Sequence, residues 1–208
     1  MTQRGLFIVF EGIDGSGTST QASLLRGRIE KTARSGVLTS EPSEGPVGNM
    51  IRQAMKGRVV FSSKPENFDR QMAYLFAADR YDHLSNPIDG VHKFLDSGTT
   101  VISTRYFFSS FAYHCATEAD WEFIRSLNSN FPNPDLVIYL KNSVDNSIER
   151  ISNRKHIDVY ENREKLKSVL ANYERVFNEY TGQSLILDAK EEIETIHGQI
   201  WNRVERML

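Results

Sequence analysis

The chain has 208 residues, 39% apolar, 25% charged and 11% aromatic, the proportions of an ordinary globular protein and enough for one domain with a substantial core. A formal charge of −2 and a pI near 6.2 exclude bulk electrostatic attraction for nucleic acid or an anionic membrane, so neither is expected as a partner. Cys115 is the single cysteine, which excludes an intrachain disulfide framework and a Cys-rich metal site.

The first apolar run, Leu6–Phe10, is too short for a signal-peptide core or a membrane span, and no later run is longer. A cytoplasmic, reducing setting is expected. Leu6–Phe10 is apolar throughout, as a strand buried on both faces should be. Val101–Ser103, Leu136–Leu140 and Leu185–Leu187 look similar, with Gly98, Pro134 and Gly182 as nearby breaks, and Val37–Thr39 is a weaker fifth strand.

Helical stretches lie between them. Thr20–Arg34 places Leu24, Leu25 and Ile29 on one side, and Val47–Lys56 offers Met50, Ile51, Ala54 and Met55. Glu66–Leu95 is long, and Asn86-Pro87 divides it. Thr117 reads as the N-cap of a helix carrying Trp121, Phe123, Ile124 and Leu127. Ser143–Arg154, Glu161–Tyr180 and Glu191–Met207 follow, the last with Ile193, Ile196, Ile200 and Val204. This alternation implies an α/β fold, a parallel sheet covered by helices on both faces.

The loop after the first strand carries the chemistry: Gly12-Ile13-Asp14-Gly15-Ser16-Gly17-Thr18-Ser19-Thr20. It links a buried strand to a helix, the setting a phosphate-binding loop requires. Glycines let backbone N–H groups converge on an anion, and the helix N-terminus adds its positive end. Ser19 stands where a hydroxyl would ligate Mg²⁺. The pattern G-x-x-x-x-G-K-[ST] calls for Lys at position 18, where this chain has Thr18, and the next lysine is Lys31. One charge-assisted hydrogen bond contributes about 1.5–3 kcal/mol, so losing that lysine costs roughly ten- to a hundredfold in rate.

From Leu6 nearly to the C-terminus the sequence resembles the thymidylate kinase family of nucleoside monophosphate kinases. Phe10 to Gly17 is similar to that family's first strand and loop, Thr39-Ser40-Glu41-Pro42 to its T-R-E-P segment, and Leu75-Phe76-Ala77-Ala78-Asp79-Arg80 to its long-helix motif. Arg105-Tyr106-Phe107-Phe108-Ser109-Ser110-Phe111-Ala112-Tyr113 resembles D-R-Y-x-x-S-S-x-A-Y, the most diagnostic of the set. The resemblance implies a P-loop NTPase three-layer fold: a five-stranded parallel sheet with helices on both faces and a small lid at about residues 150–161 of a single domain, 1–208.

It also implies roles. Phe76 would stack on thymine, Arg80 would donate to a base carbonyl, and Asp79 and Glu41 would hold that region. Arg105 would grip the acceptor phosphate, while Ser109, Ser110 and Tyr113 complete the base and sugar pocket. Asp14 would sit near the sugar and the metal. Residues 12–20 and Arg150 would hold MgATP, with Arg154 and Lys155 closing from the lid as catalytic cations. The implied partners are ATP and dTMP, and a homodimer is implied by the resemblance alone.

Four departures fall at charged positions. Thr18 replaces Lys, Ser40 replaces Arg, Thr104 replaces the Asp before Arg105, and Val159 replaces the Arg of a lid D-R-x-E. Either the donor site is rebuilt, with Arg154 or Lys155 supplying the missing charge, or catalysis has decayed while nucleotide binding persists. A kinase for another pyrimidine monophosphate is the third reading, because one methyl group on the base is worth only about 1–3 kcal/mol. The five histidines show no ligand spacing and receive no role.

Overall fold

Phe7 and Val9 point to one side of the first strand, Ile8 and Phe10 to the other, and all four are sealed from solvent. That alternation at period two, apolar on both sides, builds a strand with helices on each face. The computed structural model describes residues 4–62, 64–152, 160 and 162–208. Its strands are β1 (Phe7–Glu11), β2 (Gly36–Ser40), β3 (Thr100–Thr104), β4 (Leu136–Lys141) and β5 (Ser184–Asp188), all parallel and ordered β2-β3-β1-β4-β5. The expected five-stranded parallel sheet is what forms.

The first helices are α1 (Thr18–Glu30), α2 (Pro46–Met55), α3 (Pro65–Ser85) and α4 (Val91–Asp96). After β3 come α5 (Phe107–His114) and α6 (Glu118–Asn128), then α7 (Val144–Ser152), α8 (Arg163–Glu179) and α9 (Ile193–Val204). Helices α1 and α9 cover one face over Ile8, Phe10, Ile102 and Ile138. The opposite face, Phe7, Val9, Val101, Val137 and Tyr139, packs against α3, α5 and α8. Thr117 caps α6 by a reciprocal capping box with Asp120, and the helical run after residue 65 breaks at Asn86, as the sequence indicates.

Some expectations need correction. Leu24 is 39% exposed; the inner face of α1 is Gln21, Ala22, Leu25 and Ile29, one position round from the stripe read in sequence. Met50 and Ile193 are also exposed, because both sit on the outer sides of their helices. Strand β5 is not buried on both faces: it closes an edge of the sheet, and of its residues only Leu187 is buried. No helix among the described residues is long and apolar enough to cross a membrane. Within the lid range only Arg150, Ile151, Ser152 and Tyr160 are described; Arg154, Lys155 and Val159 lie outside the described residues.

Candidate functional site

The C-terminal ends of β1 and β3 open onto one crevice, the usual place for a ligand in a parallel sheet. From β1 the chain enters the loop 12–17. A Cβ on Gly12 would fall 2.4 Å from Ser16 Oγ, and one on Gly15, at φ 80°, would fall 2.9 Å from the Ser147 carbonyl, so both tight approaches require glycine. Gly17 caps α1 with no side chain on the first-turn amides and no acidic residue in that turn. The positive end of α1 therefore faces the crevice unneutralised. Ser16 Oγ is buried beside it without a partner among the described residues.

Arg105 is brought opposite this loop by an unusual backbone. Its φ of 73° bends the chain from β3 into α5, held by Arg105 N–H donating to the Phe10 carbonyl and Ser103 Oγ donating to the Arg105 carbonyl. The guanidinium donates to Asp14 Oδ1 at 2.7 Å, to the Gly12 carbonyl, to Ser109 Oγ and to Tyr173 Oη. Tyr113 Oη donates to the other Asp14 oxygen at 2.7 Å.

Beneath them Glu11 is completely buried and accepts from Tyr106 N, Ser109 Oγ and Tyr173 Oη. Burial pushes its carboxyl up to about 6, against the pull of Arg105 and these hydrogen bonds. Arg105 thus stands between two acidic groups, one in direct contact and one reached through hydroxyls.

A second buried arginine forms the far wall. Arg80 Nε and Nη2 both donate to Glu41 Oε2, Nη1 donates to Asn128 Oδ1, and Nη2 also reaches Ser110 Oγ. Of its five N–H groups one, on Nη1, has no partner among the described residues. Glu41's second oxygen meets His83 Nδ1, and His83 Nε2 meets Thr39 Oγ1. Asp79 and Arg80 are not a pair on the surface: each is 1% exposed, and Asp79 accepts from Ser43 N and Oγ, fixing the loop after Pro42.

These walls enclose a narrow slot of about 80 Å³, lined by Phe76, Arg80, Tyr113, His114 and Tyr160 among others. A polar cleft of about 230 Å³ continues from it along Asp14, Gly15, Thr18, Ser19 and Thr104. Asp14, Glu41 and Arg105 line both, and Arg105 is the one described cation in the cleft wall. A third hollow of about 360 Å³ lies behind the loop against Gln21, Glu191 and Ile193. There Arg150 donates to the Gly15 and Ala189 carbonyls.

No group of three or more His, Cys, Asp or Glu side chains that could hold a metal ion exists among the described residues. What is present is the exposed Ser19 at the head of α1, with Asp14 nearby. That donor set suits a Mg²⁺ that keeps its waters and takes phosphate oxygens, as a nucleotide-borne ion does.

The thymidylate kinase family model matches residues 10–200. A Thermococcus kodakarensis protein described as "Probable thymidylate kinase" is 37% identical over 208 residues, covering 98% of each chain. Proteins of the same description from Methanococcus aeolicus and Methanocaldococcus jannaschii are 36% and 33% identical, over 93% and 94% of this chain and 93% of each relative. The chain belongs to the thymidylate kinase family.

Family membership makes it a nucleoside monophosphate kinase, a phosphotransferase. Most residues picked out in sequence as a thymidylate kinase site meet here: Asp14, Arg105 and Tyr113 in direct contact, Phe76 and Arg80 across the slot, the loop alongside. Ser109 and Ser110 line the slot, and their hydroxyls are engaged with the two arginines. Ser40 Oγ turns back to the Pro42 carbonyl and Thr104 Oγ1 to the Thr39 carbonyl, so neither replaces a lost charge.

Sequence reading missed Glu11, Tyr173, His83 and His114. Tyr173 lies 162 positions from its partner Glu11 in a helix whose pattern reads as plain core. The histidines are too scattered to signal anything until the fold sets His83 against Glu41 and His114 on the slot wall.

Proposed function

We propose that the chain transfers the γ-phosphoryl group of MgATP to dTMP, giving dTDP and ADP, with the slot as the acceptor site and the loop-lined cleft as the donor site. The observation that carries this reading is Arg105, which lines both cavities at once. A planar, permanently charged fork there can hold an acceptor phosphate while facing the transferring group.

Phe76 would stack on the base, Arg80 would offer its spare N–H to a base carbonyl, and Tyr113 would crowd a 2′-hydroxyl and favour deoxyribose. Glu41, Asp79, Ser109 and Ser110 would serve by fixing the arginines and the loop. The amides of residues 15–19 would hold the donor phosphates, with Ile13 and Ser16 shaping the loop and Thr20 beginning the helix. Arg150 would flank the nucleoside end of ATP. When bound, Mg²⁺ would neutralise charge on the phosphate oxygens; Ser19 would ligate it, and Asp14, whose oxygens are engaged, would act through water.

Phosphoryl transfer needs positioning and charge stabilisation rather than covalent help. Thr18 cannot supply the charge of lysine. We assign that charge to Arg154 and Lys155 on sequence alone. A cytoplasmic location and a homodimer belong to the same proposal, supported by family resemblance.

The test is a panel of acceptors, dTMP, dUMP, dCMP and dGMP, each with MgATP. The highest kcat/KM is expected for dTMP, and a higher value for any other acceptor overturns the assignment. Replacing Arg154 and Lys155 together by alanine should abolish turnover while dTMP affinity holds; unchanged turnover would remove the lid from the account.

A further inference from the structure

Glu11 closes β1, and Tyr173 sits in α8, 162 positions later. Both side chains are 0% exposed, and neither lines the slot or the polar cleft, so neither reaches a ligand. What they reach is Arg105. Tyr173 Oη and Ser109 Oγ each donate to Glu11 Oε2 at 2.8 Å, and Arg105 Nη1 donates to the same two hydroxyls at 3.0 and 3.3 Å. Glu11 makes no direct ion pair among the described residues; the Arg105 guanidinium meets Asp14 instead. A carboxylate sealed from water without a direct counter-charge is costly to keep, and packing alone has no use for one.

What Glu11 supplies is direction. A hydroxyl can donate or accept, whereas a guanidinium only donates, so the two pair well only when the hydroxyl's hydrogen points elsewhere. Glu11, ionised above about pH 6, only accepts. It draws hydroxyl hydrogens toward itself and leaves oxygen lone pairs facing Arg105 Nη1. The 2.9 Å contact between Ser109 and Tyr173 has the same effect, because whichever hydroxyl donates there turns its hydrogen away from Arg105. Nη1 is thereby held on these hydroxyls and the Gly12 carbonyl, and one hydrogen of Nη2 on Asp14. Nε and the second N–H of Nη2 have no partner among the described residues. Two donors on one guanidinium suit two oxygens of a phosphate.

We propose that Glu11 and Tyr173 are positioning residues for Arg105, the carboxylate orienting the Ser109 and Tyr173 hydroxyls so that they fix Nη1 and leave Nε and Nη2 to the acceptor phosphate. The inference deepens the proposed function and rests on Arg105 gripping that phosphate.

The experiment is a double-mutant cycle on the full chain in weakly alkaline buffer, where Glu11 is ionised. Tyr173→Phe removes one oxygen and keeps the ring against Tyr139 and Phe177. Loss of a hydrogen bond to a charged group predicts kcat/KM for dTMP lowered roughly tenfold, with the ATP KM within about twofold. Because Tyr173 acts through the guanidinium, adding its change to Arg105→Lys should cost less than about a further twofold. Glu11→Gln, whose amide can turn its own hydrogens on the hydroxyls, should behave in the same way, and it carries the test should Tyr173→Phe unfold in a thermal melt.

An unchanged kcat/KM in Tyr173→Phe overturns the proposal. So do losses that multiply in the double variant, or an equal loss toward dTMP and ATP, the marks of a residue that serves the fold alone. If the unaltered chain does not phosphorylate dTMP, the proposed function falls and this inference with it. If it does, and the Tyr173 and Glu11 variants match it, the positioning role alone falls.

Discussion

Arg105 Nη2 donates to Asp14 Oδ1 at 2.7 Å, joining the head of α5 to the phosphate-binding loop across the crevice at the sheet's C-terminal edge. Each partner is held by others: Arg105 by the Gly12 carbonyl, Ser109 and Tyr173, and Asp14 by Tyr113. In the proposed acceptor site an incoming phosphate would meet a guanidinium that is already oriented and already compensated.

Arg105→Lys tests that orientation. Lysine keeps the charge, but its single ammonium cannot span Asp14, the Gly12 carbonyl and a phosphate together. With two charge-assisted hydrogen bonds lost, kcat/KM for dTMP is expected to fall about a hundredfold while the ATP KM stays within twofold. Initial-rate kinetics with each substrate varied in turn gives the answer, and a loss under about fivefold would mean that the fork geometry is unimportant.

The buried Glu41–Arg80 pair should govern stability. Each side chain is 1% exposed, and Arg80 has no other carboxylate partner among the described residues. Glu41→Gln leaves a buried guanidinium without its counter-charge, at a cost of about 3–5 kcal/mol. Urea denaturation should also show Arg80→Met and Glu41→Gln together costing less than the sum of the single changes. Strict additivity would contradict the coupling.

Two buried groups bend the stability curve in opposite directions. The folded value of His114, about 3, lies below its ordinary 6.5, so the unfolded chain holds the extra proton and stability rises with pH across that window. The folded value of Glu11, about 6, lies above its ordinary 4.5, so stability falls as pH rises from 4.5 to 6. The two slopes oppose each other in that shared range, and from pH 4.5 down to about 3 the His114 slope is no longer offset by Glu11. There His114→Phe should gain on the unaltered chain by about 2 kcal/mol. Denaturant titrations of both proteins at stepped pH measure the difference, and a pH-independent offset would show that His114 does not titrate this way.

Much of this was legible in the sequence, for definable reasons. β1 stands out because four consecutive apolar residues have no other use than burial on both faces. The loop reads from its glycines because their positions are dictated by close backbone approaches at Gly12 and Gly15. The inner face of α1 misleads because Gln21 is buried through a hydrogen bond from its amide to the Ile193 carbonyl, where an apolar residue would be expected, while Leu24 turns outward. Glu11, Tyr173 and His114 gain meaning only from partners on distant elements, which no local pattern encodes. Asp79 and Arg80 are adjacent in sequence yet serve separate networks, because neighbouring positions on a helix diverge by about 100°.

The central claim is that this chain performs phosphoryl transfer to dTMP with threonine at the P-loop lysine position. The most direct test incubates the purified protein with Mg²⁺, ATP and dTMP and quantifies dTDP and ADP together, beside Thr18→Lys. Equal amounts of dTDP and ADP from the unaltered chain are the predicted result. No dTDP despite measurable dTMP binding, with turnover appearing only in Thr18→Lys, would contradict the account and leave a pocket that binds nucleotide without the chemistry.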